Sequence, residues 1–305
     1  MTIRFLVNNV YSGWMPDDTR LGGTEESVVE WAAILSVKYK VQVFSNFMSE
    51  EPFEYRGVTY SPRGGYLYQV GLEPGITINV KSHDIPVVEP SVYLTNEVDA
   101  YRYDLSDFYC CILPSQWAVD NIPVNTETKI VPHGFDKTEI YPAKKIPKQV
   151  LYASSPDRGL QALELIWPAV VVEHPDAQLI VTYGGELNTP NTTCLGTVNE
   201  KKMNQLYRES DVWVHPCSGG ELYCISGIKA QAAGAIPVYF PVMALQETVK
   251  HGIQCFDERD MYRNLIDLLG NEREKKVIRK HLAKTHYPSW VDSTLALEDA
   301  ISGIL

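Results

Sequence analysis

Short, mainly apolar runs alternate along this chain with stretches in which apolar residues recur every three or four positions. Residues 3–7 form one such run and 41–45 another, both read as buried strands. Between them Val28, Trp31, Ala32 and Leu35 fall at i, i+3, i+4 and i+7, the spacing of an amphipathic helix. Gly22-Gly23 precedes that helix; Thr24 is its expected N-cap, and Glu25 and Glu26 lie in its first turn. Further strands are expected at 76–80, 92–95 and 108–113. Residues 143–148, with three lysines and two prolines in or beside them, read as a linker.

The same alternation then starts again. A strand opening at Val150 runs into the turn Asp157-Arg158-Gly159 and a helix bearing Leu163, Ile166, Trp167 and Val170, with a kink expected at Pro168. A strand and turn at 177–185 follow, and then a helix capped by Asn199. Residues 211–215 and 236–240 are two more short β-rich runs. Between them lie Gly219-Gly220, the acid Glu221 and an Ala-rich helical segment ending at Gly234. Strand, tight loop, helix, strand is a βαβ unit of a parallel sheet, which puts a loop and a helix N-terminus at the sheet's carboxyl edge. Free N–H groups there attract phosphate, and a carboxylate beside them suits sugar hydroxyls. A helix over 261–269 and a charged surface helix over 272–284 follow.

The stretch from Pro216-Cys217 through Glu221-Leu222-Tyr223-Cys224 to Lys229-Ala230-Gln231-Ala232-Ala233-Gly234 and Pro237-Val238 resembles the donor site of retaining glycosyltransferases with the GT-B fold, the group-4 family. That family's pattern has a second Glu eight positions after the first; here the position is Lys229. Gly22-Gly23 resembles the family's loop over the donor phosphates, Arg158-Gly159 its Lys-Gly, 195–198 its base-binding segment, and 287–305 its last helix. The match is weakest between about 46 and 92.

The resemblance implies an α/β fold of two Rossmann-like parallel-sheet domains facing a central cleft. An N-terminal domain over 1–145 would carry the acceptor side and the glycine loop. A C-terminal domain over 146–286 would bind the donor, and a final helix over 287–305 would cross back to the first domain. Glu221, Arg158 and Asn96 are the implied catalytic residues; Asn96 stands where relatives often have a histidine, and His83 is a second candidate for that role. Gly22, Gly23, Thr24, Arg158, Thr197, Val198, Glu221, Leu222, Tyr223, Cys224 and Lys229 are the implied donor contacts, those at 222–226 through the backbone of a helix start. The implied activity is transfer of a sugar from a UDP- or GDP-sugar, with retention of configuration, to a glycan, lipid-linked or small-molecule acceptor.

Composition narrows this further. With 305 residues, 45% of them hydrophobic and 21% charged, the chain has material for two globular domains. A net charge of −11 argues against a broad nucleic-acid surface. Six cysteines without Cys-x-x-Cys spacing read as reduced core residues, and the opening residues as a strand rather than a signal peptide. No apolar run nears the roughly 18 residues of a transmembrane helix, so a cytoplasmic protein is expected, with peripheral membrane contact left open. No Asp-x-Asp occurs, so neither a metal nor any other cofactor is expected, and no Gly-x-Gly-x-x-Gly follows a strand, which sets aside a nicotinamide enzyme. The alternative is a catalytically inactive nucleotide-sugar-binding or scaffold protein of the same fold, which Lys229 and the missing histidine favour.

Overall fold

The computed structural model describes residues 1–8, 13–18, 21–82 and 84–305. They form two compact units, the first made of Met1–Gly134 with Pro288–Leu305 and the second of Phe135–Tyr287.

In the first unit the described strands are β1 (Thr2–Val7), β2 (Lys40–Ser45), β3 (Phe53–Tyr55), β4 (Val58–Pro62), β5 (Ile76–Val80), β6 (Ser91–Leu94), β7 (Cys111–Leu113) and β8 (Thr128–Ile130). They make one sheet in the order β3-β4-β2-β1-β5-β6-β7-β8, parallel except for the β3–β4 hairpin. The hairpin lies in the poorly matched stretch, and the sequence pattern does not predict it. It turns on Arg56 and Gly57, both with positive φ, as the tight turn between twisted antiparallel strands requires. The strand expected over 108–113 is shorter, pairing only from Cys111.

β1 is buried along its whole length because helices cover both faces of a parallel sheet. The helix Gly23–Leu35 packs Val28, Val29, Trp31, Ala32 and Leu35 into that core. The last helix, Trp290–Ile301, packs beside it: Trp31 Nε1 donates to Ser293 Oγ at 2.7 Å, and the Trp31 and Trp290 rings meet edge-on at 6.4 Å. A Ser289/Asp292 capping box fixes where this helix begins.

The second unit holds a fully parallel sheet of β9 (Ile146–Tyr152), β10 (Gln178–Val181), β11 (Thr192–Cys194), β12 (Ser210–His215), β13 (Ile236–Tyr239) and β14 (Ile253–Gln254), ordered β11-β10-β9-β12-β13-β14. The chain winds outward from β9 through β10 to β11, then returns to the other side of β9 with β12. The direction of winding therefore reverses between β9 and β12.

Several expectations need correction. By contacts the chain divides at 134/135, and Phe135 and Ile140 pack with Leu151 and Trp213. Lys145 Nζ also donates to the carbonyls of Tyr207, Arg208 and Ala233, tying the supposed linker to two helix ends. In the charged helix Glu272–Leu282, Lys275 is buried, its Nζ 2.8 Å from Asp211, so that surface is partly interior. The cysteines are free, but Cys194 is exposed rather than in a core.

Candidate functional site

Arg158 and Glu221 come from the two loops that flank the strand-order reversal of the second sheet, one following β9 and the other β12. In open α/β sheets a crevice opens at the carboxyl edge where the winding reverses. Gly159 ends the first loop as the residue preceding the helix Leu160–Glu173, with φ +91°. Its Cα faces the second loop so closely that a Cβ would stand 2.1 Å from the carbonyl oxygen of Pro216. Gly220, φ +78°, similarly leaves room for the guanidinium: a Cβ there would stand 2.6 Å from Arg158 Nη1. Only glycine permits both contacts.

Within this packing Arg158 Nη1 donates to the Gly219 carbonyl at 2.9 Å and lies 3.4 Å from Glu221 Oε1. Glu221 Oε1 is also 3.6 Å from His215 Nε2, at the end of β12. Glu221 is 14% exposed, so its carboxylate is within reach of a ligand. His215 is fully buried and stacks on Trp213 with ring centroids 4.9 Å apart. Its Nδ1 has no hydrogen-bond partner among the described residues. Burial alone would lower the imidazole's pKa, but Cys224, Cys217 and Glu221 outweigh it and hold the pKa well above its ordinary value. Burial would raise the Cys217 thiol, yet His215, the Gly219 backbone and Arg158 pull it below its usual range.

The helix after this loop is Ile225–Ala232 and does not include 222–224. Cys224 precedes it with φ +66° and ψ 75°, a left-handed conformation that breaks the helix before Ile225. The expected helix start at 222–226 is thus shifted to 225. Leu222 and Tyr223 are buried, and Tyr223 and Cys224 join a core with Trp213 and Ile228. No side chain caps the helix N-terminus, so the first-turn N–H groups of Ile225 and Ser226 lack intrahelical acceptors. Lys229, a turn further on, is 8% exposed, which rules out a solvent-facing role. Thr197 and Val198 follow β11 at the same carboxyl edge; Thr197 is exposed and Val198 half-buried against the core.

The remaining expected residues belong to the first unit. Gly22, in extended backbone, is the N-cap of Gly23–Leu35, without a side-chain cap; Thr24 lies inside the helix and is not its cap. The chain already enters the helix at Gly23, so Thr24's hydroxyl is past the capping position. That hydroxyl accepts from Asn96 Nδ2 at 3.3 Å. The structure therefore brings Gly22, Gly23, Thr24 and Asn96 to one place, and Asn96 Oδ1 is buried there without a partner among the described residues. His83 lies outside the described residues.

Sequence reasoning does not single out His215, although the residue stands in the motif. Its signal is its position as the last residue of a buried strand entering the acid-bearing loop. With Glu221 and Cys224 it also forms a set whose potential ligand atoms all lie within 4.8 Å of one another. A separate hollow of about 340 Å³ opens beside Ser218 between Phe240 and Phe256. It carries Asp257 and Glu258, which repel a diphosphate.

Neither a protein-family model nor a curated protein matches the sequence. Solved structures do match. Sucrose-phosphate synthase from Thermosynechococcus elongatus superposes with a TM-score of 0.77 at 14% identity, covering 99% of this chain and 98% of that one. The Anabaena protein HepE in complex with UDP and glucose gives 0.74 at 16% identity, over 99% and 100%. The fold is GT-B. WaaG, a glycosyltransferase involved in lipopolysaccharide biosynthesis, gives 0.72 at 12% identity over 99% of each chain. At such identities the likeness establishes the GT-B fold and leaves chemistry to the residues. No helix among the described residues is long and apolar enough to cross a membrane.

Proposed function

We propose that this protein is a glycosyltransferase that moves a sugar from a nucleotide-diphosphate sugar to an acceptor with retention of configuration and without a metal. The observation that carries this reading is the pairing of Arg158 with Glu221 across the winding reversal, a cation for phosphate beside an acid for hydroxyls. The leaving diphosphate would lie against Arg158 and the uncapped start of Ile225–Ala232, whose charge and dipole favour the negative charge developing there. Glu221 would accept hydrogen bonds from the sugar and set the anomeric carbon. The solved complexes of HepE with UDP and UDP-glucose support a nucleotide sugar as donor for this chain. A UDP- or GDP-sugar and a glycan, lipid-linked or small-molecule acceptor belong to the same proposal, as does a cytoplasmic location.

Lys229 favours a second reading, a catalytically inactive binder, since a buried cation stands where the family pattern has its second acid. Thermal-shift screening against UDP- and GDP-sugars, followed by an assay of nucleotide release with candidate acceptors, tests both readings. A ligand at a hundred times its dissociation constant stabilises by about 2.7 kcal/mol. Stabilisation with nucleotide release is the expected result. Stabilisation without release from any acceptor or water favours the binder, and no stabilisation by any sugar nucleotide contradicts both.

A further inference from the structure

We infer that His215, Glu221 and Cys224 form a binding site for a borderline-soft divalent cation of the zinc class. Three kinds of donor atom meet here: His215 Nε2 is 3.6 Å from Glu221 Oε1 and 3.8 Å from Cys224 Sγ, and all three atoms lie within 4.8 Å of one another. The nitrogen–oxygen separation is too long for a hydrogen bond, and the nitrogen–sulfur one is at the outer edge for sulfur. Both are close to the edges of a zinc tetrahedron. Bonds of about 2.0–2.1 Å to nitrogen and oxygen and about 2.3 Å to sulfur place neighbouring ligands roughly 3.4–3.6 Å apart. A mixed nitrogen, oxygen and thiolate set selects zinc over magnesium or calcium, which take oxygen.

The backbone is arranged to make this meeting. The left-handed turn at Cys224 sits between the Glu221 loop and the helix, and the end of β12 places the imidazole beneath both. Cys217, whose Sγ donates to the Gly219 carbonyl at 3.0 Å, stands outside the triad. Binding takes the Cys224 thiol to thiolate and the protonated His215 ring to neutral imidazole, and both protons pass to solvent.

Two features keep the site weak and exchangeable. Arg158 Nη1, at 3.4 Å, competes for the same Glu221 oxygen. His215 Nδ1 has no acceptor among the described residues, whereas tightly held zinc ligands donate their second N–H to one. A bound ion would take the carboxylate assigned above to the donor sugar, so metal and sugar would compete. That consequence rests on the proposed function; the site itself does not.

The test is cobalt(II) titration of the full chain after chelator treatment, which needs neither donor nor acceptor. The expected result is one equivalent giving an intense visible band of tetrahedral cobalt and a near-ultraviolet sulfur-to-metal band, both displaced by zinc. Cys224→Ser abolishes the sulfur band, and His215→Gln weakens binding at least about ten-fold with unchanged circular dichroism. Cys194→Ser, removing the exposed thiol, leaves both bands intact. Loss of the bands in Cys194→Ser, or their persistence in Cys224→Ser, marks an adventitious ion only and overturns the site. Absence of both bands from the folded wild type overturns it as well.

Discussion

Gly159 and Pro216 are packed backbone to backbone across the two loops that carry Arg158 and Glu221. A Cβ on Gly159 would lie 2.1 Å from the Pro216 oxygen, and φ is already +91°. Gly159→Ala therefore suffers both left-handed strain and collision. At Gly184, φ +80°, a Cβ would meet nothing within 4 Å, so Gly184→Ala isolates the strain at about 1–2 kcal/mol. Urea unfolding should show Gly159→Ala losing clearly more than Gly184→Ala. Equal losses would mean that the loops are free to separate.

Arg158 supplies the phosphate-facing cation in this account. Arg158→Ala should slow transfer by about two orders of magnitude, the usual cost of one preorganised donor to a developing anion. Arg158→Lys should recover part of the loss, because charge returns without the planar guanidinium whose Nη1 meets both the Gly219 carbonyl and Glu221. Steady-state rates for the two variants check this; an unchanged rate in the Ala variant removes Arg158 from the site.

Acid should loosen the first unit through His133. Its Nδ1 is 2.7 Å from Ser27 Oγ on the helix that Gly22 begins, and burial, helped by the Lys81 charge, pushes its pKa down to about 4. The unfolded chain takes up this proton near pH 6.5, before the folded one does. The stability contributed by the neutral ring is therefore complete above about pH 6.5 and is lost as pH falls towards 4, by up to about 1.4 kcal/mol per pH unit. Denaturant unfolding across that range should show the slope in the wild type and a shallower one in His133→Gln. Parallel slopes would assign the effect to other groups.

Much of this architecture is legible from periodicity, because buried parallel strands and amphipathic helices each write a distinct pattern. Residues 3–7 are apolar except for Arg4, 211–215 carry Val-Trp-Val at their centre, and Val28, Trp31, Ala32 and Leu35 share one helix face. The hairpin around Arg56-Gly57 escapes that reading because Arg accepts a positive φ only when the fold imposes it. The helix start at Ile225 escapes it for the same reason at Cys224. Lys275 reads as surface charge because its partner, Asp211, is 64 residues away in sequence. His215 gains its surroundings only when β12 carries it beneath the Glu221 loop, a juxtaposition that local spacing does not encode.

Lys229 separates the enzyme from the inactive binder less directly. If it faces the nucleotide, Lys229→Ala should weaken nucleoside diphosphate binding about ten-fold, the worth of one charge-assisted hydrogen bond. Calorimetric titration with UDP and GDP checks it. An unchanged affinity with a lowered melting temperature would make Lys229 a packing residue of the helix.

In the proposed mode Glu221 holds the donor sugar while Arg158 and the helix start hold its diphosphate. It is tested most directly by comparing Glu221→Gln with wild type in two measurements on the same donor. The substitution keeps the shape and removes the charged acceptor, worth about 1.5–3 kcal/mol to a hydroxyl. Transfer should fall roughly ten- to a hundred-fold while the dissociation constant of the free nucleoside diphosphate stays within about two-fold. Wild-type transfer by Glu221→Gln, or a loss confined to nucleoside diphosphate binding, contradicts the account.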